Sequence, residues 1–278
     1  MPLHSIVKAG AGWGSAGCAA PGCPVRGRRK RPMANGGASR ARFLACGDTA
    51  LVVEFGNQVD RALSERVLSL NAALVEARLP GVVETVPTFR SLMVHYDPLA
   101  TGAAELESSI NRLLEASREV RRQASLWRVP VCYEPPYALD LAEVAARVKL
   151  GPEEVVARHS RKRYHVYMIG FLPGLPYLGD LDDRLVLPRR AEPRVRVPAG
   201  SVAIATTLTV IYPMESPGGW HVLGATPLAL FTPGREPPAL FAPGDAVLFE
   251  PVDGREFEAV RARVEAGSYE LARRALCR

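Results

Sequence analysis

The sequence predicts an α+β protein in which a small α/β sandwich is followed by a β-barrel. Three observations carry this expectation. Between residues 42 and 125 apolar residues recur first at strand spacing and then at helical spacing, and the cycle occurs twice. Thirteen of the 24 prolines lie between Pro173 and Pro251, where they separate short apolar runs, a pattern of many short strands joined by turns. The run Tyr164–Thr226 is densest in turn residues, with Pro173-Gly174, Pro176, Pro198-Ala199-Gly200 and Pro217-Gly218-Gly219. Each proline fixes φ and each glycine admits φ > 0 or a close backbone approach, so this run specifies a rigid, loop-built surface.

The elements follow in order. Residues 1–41 are crowded with Gly, Ala and Arg without an apolar period, so a disordered basic extension is expected, most simply a translated upstream stretch before a natural start at Met33; a transit peptide or interaction tail is the alternative. The formal GxGxxG at Gly12–Gly17 has no strand before it and runs into Cys18-Ala19-Ala20-Pro21, which fails the context a dinucleotide loop needs. Phe43–Cys46 and Ala50–Phe55 read as a hairpin turning at Gly47-Asp48. Asp60 is placed to cap a helix whose Leu63, Val67, Leu70 and Leu74 share one face, and Leu79-Pro80-Gly81 stops it. Val82–Phe89 and Ser91–Tyr96 are strands, Ala103–Arg122 is a second amphipathic helix, and a strand near Trp127–Tyr133 is expected to close this sandwich.

Two short helices, Leu139–Leu150 and Pro152–Ser160, precede the strand-rich part, the second opening on Gly151-Pro152-Glu153-Glu154 as a helix N-terminus should. Short strands are then expected at Ser201–Ala205, Thr209–Tyr212, Leu228–Phe231 and Ala246–Phe249, and a surface helix at Arg261–Arg278. The organisation predicted is thus an extension (1–41), an N-terminal α+β domain (42–125), a barrel domain (126–255) and a C-terminal helix (256–278).

Charge and cysteine usage narrow the function classes. Residues 1–42 hold eight Lys or Arg and no acid, so the formal +6 of the chain leaves −2 for the remainder. A nearly neutral body gives no face for tracking phosphates, and nucleic acid is not an expected partner. No run approaches the ~18 apolar residues of a membrane span, so no membrane partner is expected either. Cys46, Cys132 and Cys277 are far apart, with no CxxC and no Cys/His cluster, which reads as a cytoplasmic chain without a disulfide framework or a structural metal.

The candidates for chemistry lie mostly in the turn-rich run. Neither Ser201 nor Ser216 sits in a GxSxG elbow, and there is no GxxxxGK[ST] phosphate loop. Glu215-Ser216-Pro217-Gly218-Gly219-Trp220-His221 resembles a pocket mouth, since paired glycines let backbone N–H groups approach an anion and Trp220 offers a stacking face; a tight hairpin whose Trp plugs the barrel is the equal alternative. Arg189, Arg190, Arg194 and Arg196 alternate with Pro188, Pro193 and Pro198, so Arg194 and Arg196 share one face, either to clamp a carboxylate or phosphate or to solvate an edge. His159 ends a helix, where the dipole favours an imidazolium; functional use is one reading and a simple capping or packing role the preferred one. His165 lies within a strand pattern and reads as structural. Asp180, Asp182 and Asp183 lack the spacing of a calcium loop.

At GFLPGLPYLG, PRRAEPRVRVPAGSVAI, IYPMESPGGW and LGATP, together with RFLACGDTALVVEFG near the start, the chain resembles the B subunits of the bacterial ATP-dependent 5-oxoprolinases. That family is also labelled allophanate hydrolase subunit 1 and urea carboxylase carboxyltransferase first half, and it includes the inhibitor of a sporulation histidine kinase. The resemblance implies a cyclophilin-like barrel as the second domain, and ATP-dependent opening of the 5-oxoproline lactam to glutamate, in which ATP activates the lactam oxygen and water attacks the carbon. It implies ATP, with Mg at the level of the complex, no biotin on this chain, and partners A and C, the C subunit most directly; a homodimer stays open. A histidine kinase inhibitor, or a subunit acting on an allophanate, urea or other carboxylated substrate, is the alternative. The matching positions outline a pocket without assigning a catalytic step. Its candidates are His159, Pro173, Gly174, Arg189, Arg194, Arg196, Gly200, Ser201, Thr209, Tyr212, Glu215, Ser216, Gly218, Gly219 and Trp220. The chain departs at Ile204–Ile211, where the family form is closer to IGGxQTGI: Ala205 and Thr206 stand for Gly, Leu208 for Gln and Val210 for Gly, which puts the substrate, though not the fold, in question.

Overall fold

The computed structural model describes residues 41–116 and 123–277. The extension expected over 1–41, apart from Ala41, and the charged helix end expected at Arg118–Arg122 lie outside the described residues. The first unit begins with β1 (Arg42–Ala45) and β2 (Ala50–Glu54), joined through Gly47 at φ 65° as the Gly-Asp turn requires. Helix α1 (Arg61–Ala77) is capped by the Asp60 side chain, which accepts from the Leu63 amide at 3.0 Å. Strands β3 (Val82–Pro87) and β4 (Ser91–Tyr96) and helix α2 (Ala103–Glu115) complete it. The sheet runs β1-β2-β4-β3, all antiparallel. Both helices cover one face, burying Val67, Leu70, Leu74, Leu106 and Ile110 against Leu51, Val53, Leu92 and Val94.

The second unit is a closed barrel of seven strands, mixed α/β in its surroundings. Its strands are β5 (Gln123–Cys132), β6 (Arg163–Ile169), β7 (Pro176–Gly179), β9 (Ser201–Ala205), β10 (Leu208–Ile211), β12 (His221–Ala225) and β13 (Ala246–Val252). They hydrogen-bond in the order β12-β9-β10-β7-β6-β13-β5, and β5 returns to β12 at Cys132 and Ala225. Every pairing is antiparallel except β5 with β13. Strands β8 (Arg194–Val197) and β11 (Ser216–Gly218) form a separate two-stranded ribbon. Helices α3 (Leu141–Val148) and α4 (Pro152–Arg161) precede β6 and pack on the barrel core through Leu141, Val144 and Val155.

Strands β9 and β12 are buried at every position. One side of β9, Val202 and Ile204, joins the barrel core; the other, Ala203 and Ala205, joins a second cluster outside the barrel with Val197, Val210, Tyr212 and Trp220. That explains a run, SVAIA, with almost no polar alternation: a strand covered on both faces has nothing to turn toward water. Each large side chain so buried, Tyr164 and Phe249 among them, contributes about 1.5–3 kcal/mol through apolar area removed from water.

Three expectations are corrected. The strand near Trp127–Tyr133 starts at Gln123 and belongs to the barrel, where it pairs with β13, β12 and a last strand, β14 (Arg273–Cys277), not with the N-terminal sheet. Leu228–Phe231 forms no ladder beyond a single bridge from Phe231 to Ala239, because Pro227, Pro233, Pro237 and Pro238 leave too few amide donors. The C-terminal helix is shorter and earlier than predicted: α5 (Gly254–Glu265) is capped by Asp253, ends where Gly267 turns left-handed at φ 68°, and gives way to β14, which adds to the free side of β5. The amides of Gly267 and Ser268 bond back to the Val264 and Arg263 carbonyls, closing the helix. The helix-forming composition beyond that point is overridden by an available strand edge.

Candidate functional site

The ribbon β8–β11 lies over the outer face of β7, β9, β10 and β12, and a cleft of about 110 Å³ opens beside it. Alternation along β10 and β7 decides which side chains reach it. Val210, Tyr212 and Tyr177 point outward to the cleft, while Thr209, Ile211 and Leu178 point into the barrel. The remaining walls come from the Gly170–Leu175 loop and from Arg189, Pro217, Gly218, Gly219 and Trp220. Gly218 is required by a close approach, since a Cβ there would meet the Tyr212 hydroxyl at 2.4 Å. Phe171 stands at the mouth, 72 % exposed and held at φ 68°; an exposed aromatic in the left-handed region is strained, as functional loops often are.

Arg189 differs from the three arginines that follow it. Arg194 binds Asp140 with both terminal nitrogens, Arg190 reaches Asp140 at 3.0 Å and Glu143 at 3.1 Å, and Arg196 forks onto Glu215 at 2.9 and 3.0 Å. Arg189 is exposed, has no carboxylate partner among the described residues, and lies 5.7 Å from the Trp220 ring centroid. A guanidinium resting on an indole face keeps its N–H edge available. Edge-on contacts extend the aromatic wall from Trp220 through Tyr177, 6.2 Å away, to Phe89 of the first unit, 5.7 Å further. Burial pushes the Tyr212 phenol up to about 12 and also raises Tyr177, with Arg189 opposing both. Both hydroxyls therefore remain protonated donors beside the free guanidinium.

The structure brings together Arg189, Tyr212, Gly218, Gly219 and Trp220 of the predicted set, with Pro173 and Gly174 in the adjoining loop, where Gly174 packs against Leu230 and Phe231. Arg194 is held by the buried carboxylate of Asp140, whereas Arg196 and Glu215 form a solvent-exposed pair, which holds only weakly, so the two arginines that share a face are in different states and do not form one clamp. Glu215 serves as Arg196's partner. Gly200 crosses the Thr226 carbonyl, where a Cβ would lie 2.2 Å away, and Ser201 is buried at the start of β9. Ser216 donates to the Pro217 carbonyl, and no described histidine bonds to it or to Ser201.

His159 lies in the barrel interior and not on the cleft. Thr209 donates to the Ala203 carbonyl at 3.0 Å, so its oxygen accepts from His159 Nε2 at 3.1 Å, and His159 Nδ1 accepts the Tyr133 hydroxyl at 2.8 Å. The ring stacks on Phe249 at 4.7 Å. Burial lowers its pKa from 6.5 to about 3, so the helix-end dipole, worth ~0.3–2 kcal/mol, loses to desolvation.

Sequence reasoning missed Asp140 as a site residue. It stands just before α3, where Asp normally caps, but its oxygens go instead to Arg190, Arg194 and the Val222 amide at 2.7 Å. Phe89 carries no sequence signal beyond the end of a strand. The departure at Ala205–Val210 falls on the cleft side: Ala205, Leu208 and Val210 pack in the outer cluster, and Thr206 occupies the β9–β10 turn at φ 53°. Among the described residues no three His, Cys, Asp or Glu gather as metal ligands, and no helix is long and apolar enough to cross a membrane.

Comparison with known proteins places this geometry. The 5-oxoprolinase B subunit of Bacillus subtilis (strain 168) is 38% identical over 233 residues, covering 80% of this chain and 97% of its own. That of Escherichia coli O157:H7 is 41% identical over 212 residues, 76% of this chain and 96% of its own. The crystal structure of TTHA0988 superposes with a TM-score of 0.67 at 40% identity over 74% of this chain, which spans only 40% of that longer chain. The urea amidolyase of K. lactis, 20% identical with a TM-score of 0.74 over 88% of this chain and 17% of its own, shares the fold. The model of the carboxyltransferase domain, subdomain C and D, matches residues 41–241. The chain belongs to the family of carboxyltransferase domain subdomains C and D.

Proposed function

We propose that this chain is the B subunit of an ATP-dependent 5-oxoprolinase, a cytoplasmic complex with A and C subunits that opens the 5-oxoproline lactam to glutamate. The observation that carries the reading is the near full-length similarity to proteins named as 5-oxoprolinase B subunits, at 38 and 41% identity. The cleft supports it, being built from the same run that carries the resemblance. The exposed free thiol of Cys46 suits a reducing compartment.

The cleft limits which part of the chemistry falls to this chain. At about 110 Å³ it is well below the ~300 Å³ at which drug-sized pockets begin, and no phosphate loop lines it. ATP is too large to be enclosed there. What the cleft offers is one guanidinium, two protonated phenols and an apolar floor. Those groups bind and orient a small substrate and screen it from water; an acid and base for lactam opening must come from across the subunit interface.

Co-expression with A and C subunits tests this. The expected result is glutamate formed from 5-oxoproline only when all three subunits and ATP are present. An intact, co-purifying complex that forms no glutamate would overturn the reading.

A further inference from the structure

We propose that the Arg189 cleft is a subsite for the carboxylate of a small cyclic acid, with the acid's ring set against Phe171 and Tyr177, the accessible aromatics of its lining. The inference deepens the proposed function and rests on it only for the identity of the acid. Of four arginines within eight residues, Arg190, Arg194 and Arg196 are each matched to a carboxylate of the chain, and among the described residues Arg189 alone of them lines the cleft, with the Trp220 ring against it and no carboxylate partner. A guanidinium edge matches a carboxylate in a two-bond fork. The cleft holds one cation and is small, which suits a monoanion of a few heavy atoms and not a polyphosphate. Tyr177 and Tyr212 supply further donors that stay protonated.

Phe171, 72% exposed at the mouth, and half-buried Tyr177 shape what lies beyond the carboxylate, offering aromatic faces to a small flat ring rather than to a charged extension.

The test uses the full chain and the three-subunit complex. Ligand-observed NMR on the chain compares 5-oxoproline, 2-pyrrolidone (the same ring without the carboxylate) and inorganic phosphate. The expected result is binding of 5-oxoproline at least tenfold tighter than either other probe, with the difference lost in Arg189→Leu and partly kept in Arg189→Lys. Because Arg189 is exposed and makes no side-chain hydrogen bond among the described residues, both variants should melt close to the parent. In the complex, Arg189→Leu should raise KM for 5-oxoproline tenfold or more while kcat changes much less. Binding of 5-oxoproline no tighter than 2-pyrrolidone or phosphate, or an unchanged KM in Arg189→Leu, would overturn the proposal. A complex that makes no glutamate while the chain still selects the acid through Arg189 would reject the oxoprolinase reading and leave the subsite standing.

Discussion

At the scale of single residues, His159 is enclosed by partners of the chain itself, Tyr133 and Thr209, and it shows the consequence for pH. Its folded pKa of about 3 lies below the 6.5 of an exposed histidine, so between those values the unfolded chain binds a proton that the folded chain refuses. Stability from this group is complete above pH 6.5 and falls as pH drops toward 3, by ~2 kcal/mol between pH 6.5 and 5. Urea titrations across that range should show the slope, and His159→Gln should flatten it. Sequence alone could identify His159 as a helix-end residue but not the tyrosine and threonine that enclose it, which come from the residue after β5 and from β10. The same holds for Arg194: its spacing with Arg196 is readable, whereas Asp140, 54 positions earlier, comes into register only when α3 packs on β12. Local pattern names a residue's face; the partner on that face is a property of the fold.

At the scale of elements, hairpins and capped helices were legible because their signals are local. Gly47-Asp48, Asp60 and Gly151-Pro152 each act within a few residues, and the structure places a turn, a cap and a helix start there. The elements that misled were those decided at a distance, β5 by its barrel partners and β14 by the open side of β5. The β9–β10 turn is a further case. Thr206 holds φ 53°, a conformation that disfavours β-branched residues, while its amide donates to the Leu187 carbonyl at 2.6 Å. Thr206→Gly keeps that amide and removes the Cβ conflict, which costs ~1–2 kcal/mol in L-residues, less the extra entropy glycine loses on folding and the lost bond from the Thr206 hydroxyl to the Ala205 carbonyl at 2.6 Å. A net gain of up to about 1 kcal/mol is expected by chemical denaturation, with no change in the β9–β10 register.

At the scale of the molecule, the barrel provides a floor, the ribbon a roof, and the first unit a brace through Phe89 on Tyr177 and Tyr167 and through the buried contact of Ser64 with His165 at 3.1 Å. The fold class and the cleft's main run were readable from the Pro and Gly punctuation; the free state of Arg189 was not, because it depends on where three other arginines find their acids. Strand β5 holds this plan together, pairing with β13, β14 and β12. Ending the chain after Ala272 removes β14 and uncovers one side of β5. A lower melting temperature and concentration-dependent light scattering are expected, since an exposed strand edge recruits other chains.

The parallel match of Leu126 with Ala246 also sets an order of events during synthesis. The first barrel strand to leave the ribosome waits for a partner made 120 residues later, on the order of ten seconds at ordinary elongation rates. The N-terminal sheet, whose strands all lie within residues 42–96, can form well before that, whereas the barrel closes only once β13 has been made. For those seconds the β13-facing edges of β5 and β6 are open, so this protein's exposure to aggregation and to chaperones is concentrated in the interval between synthesis of β5 and of β13.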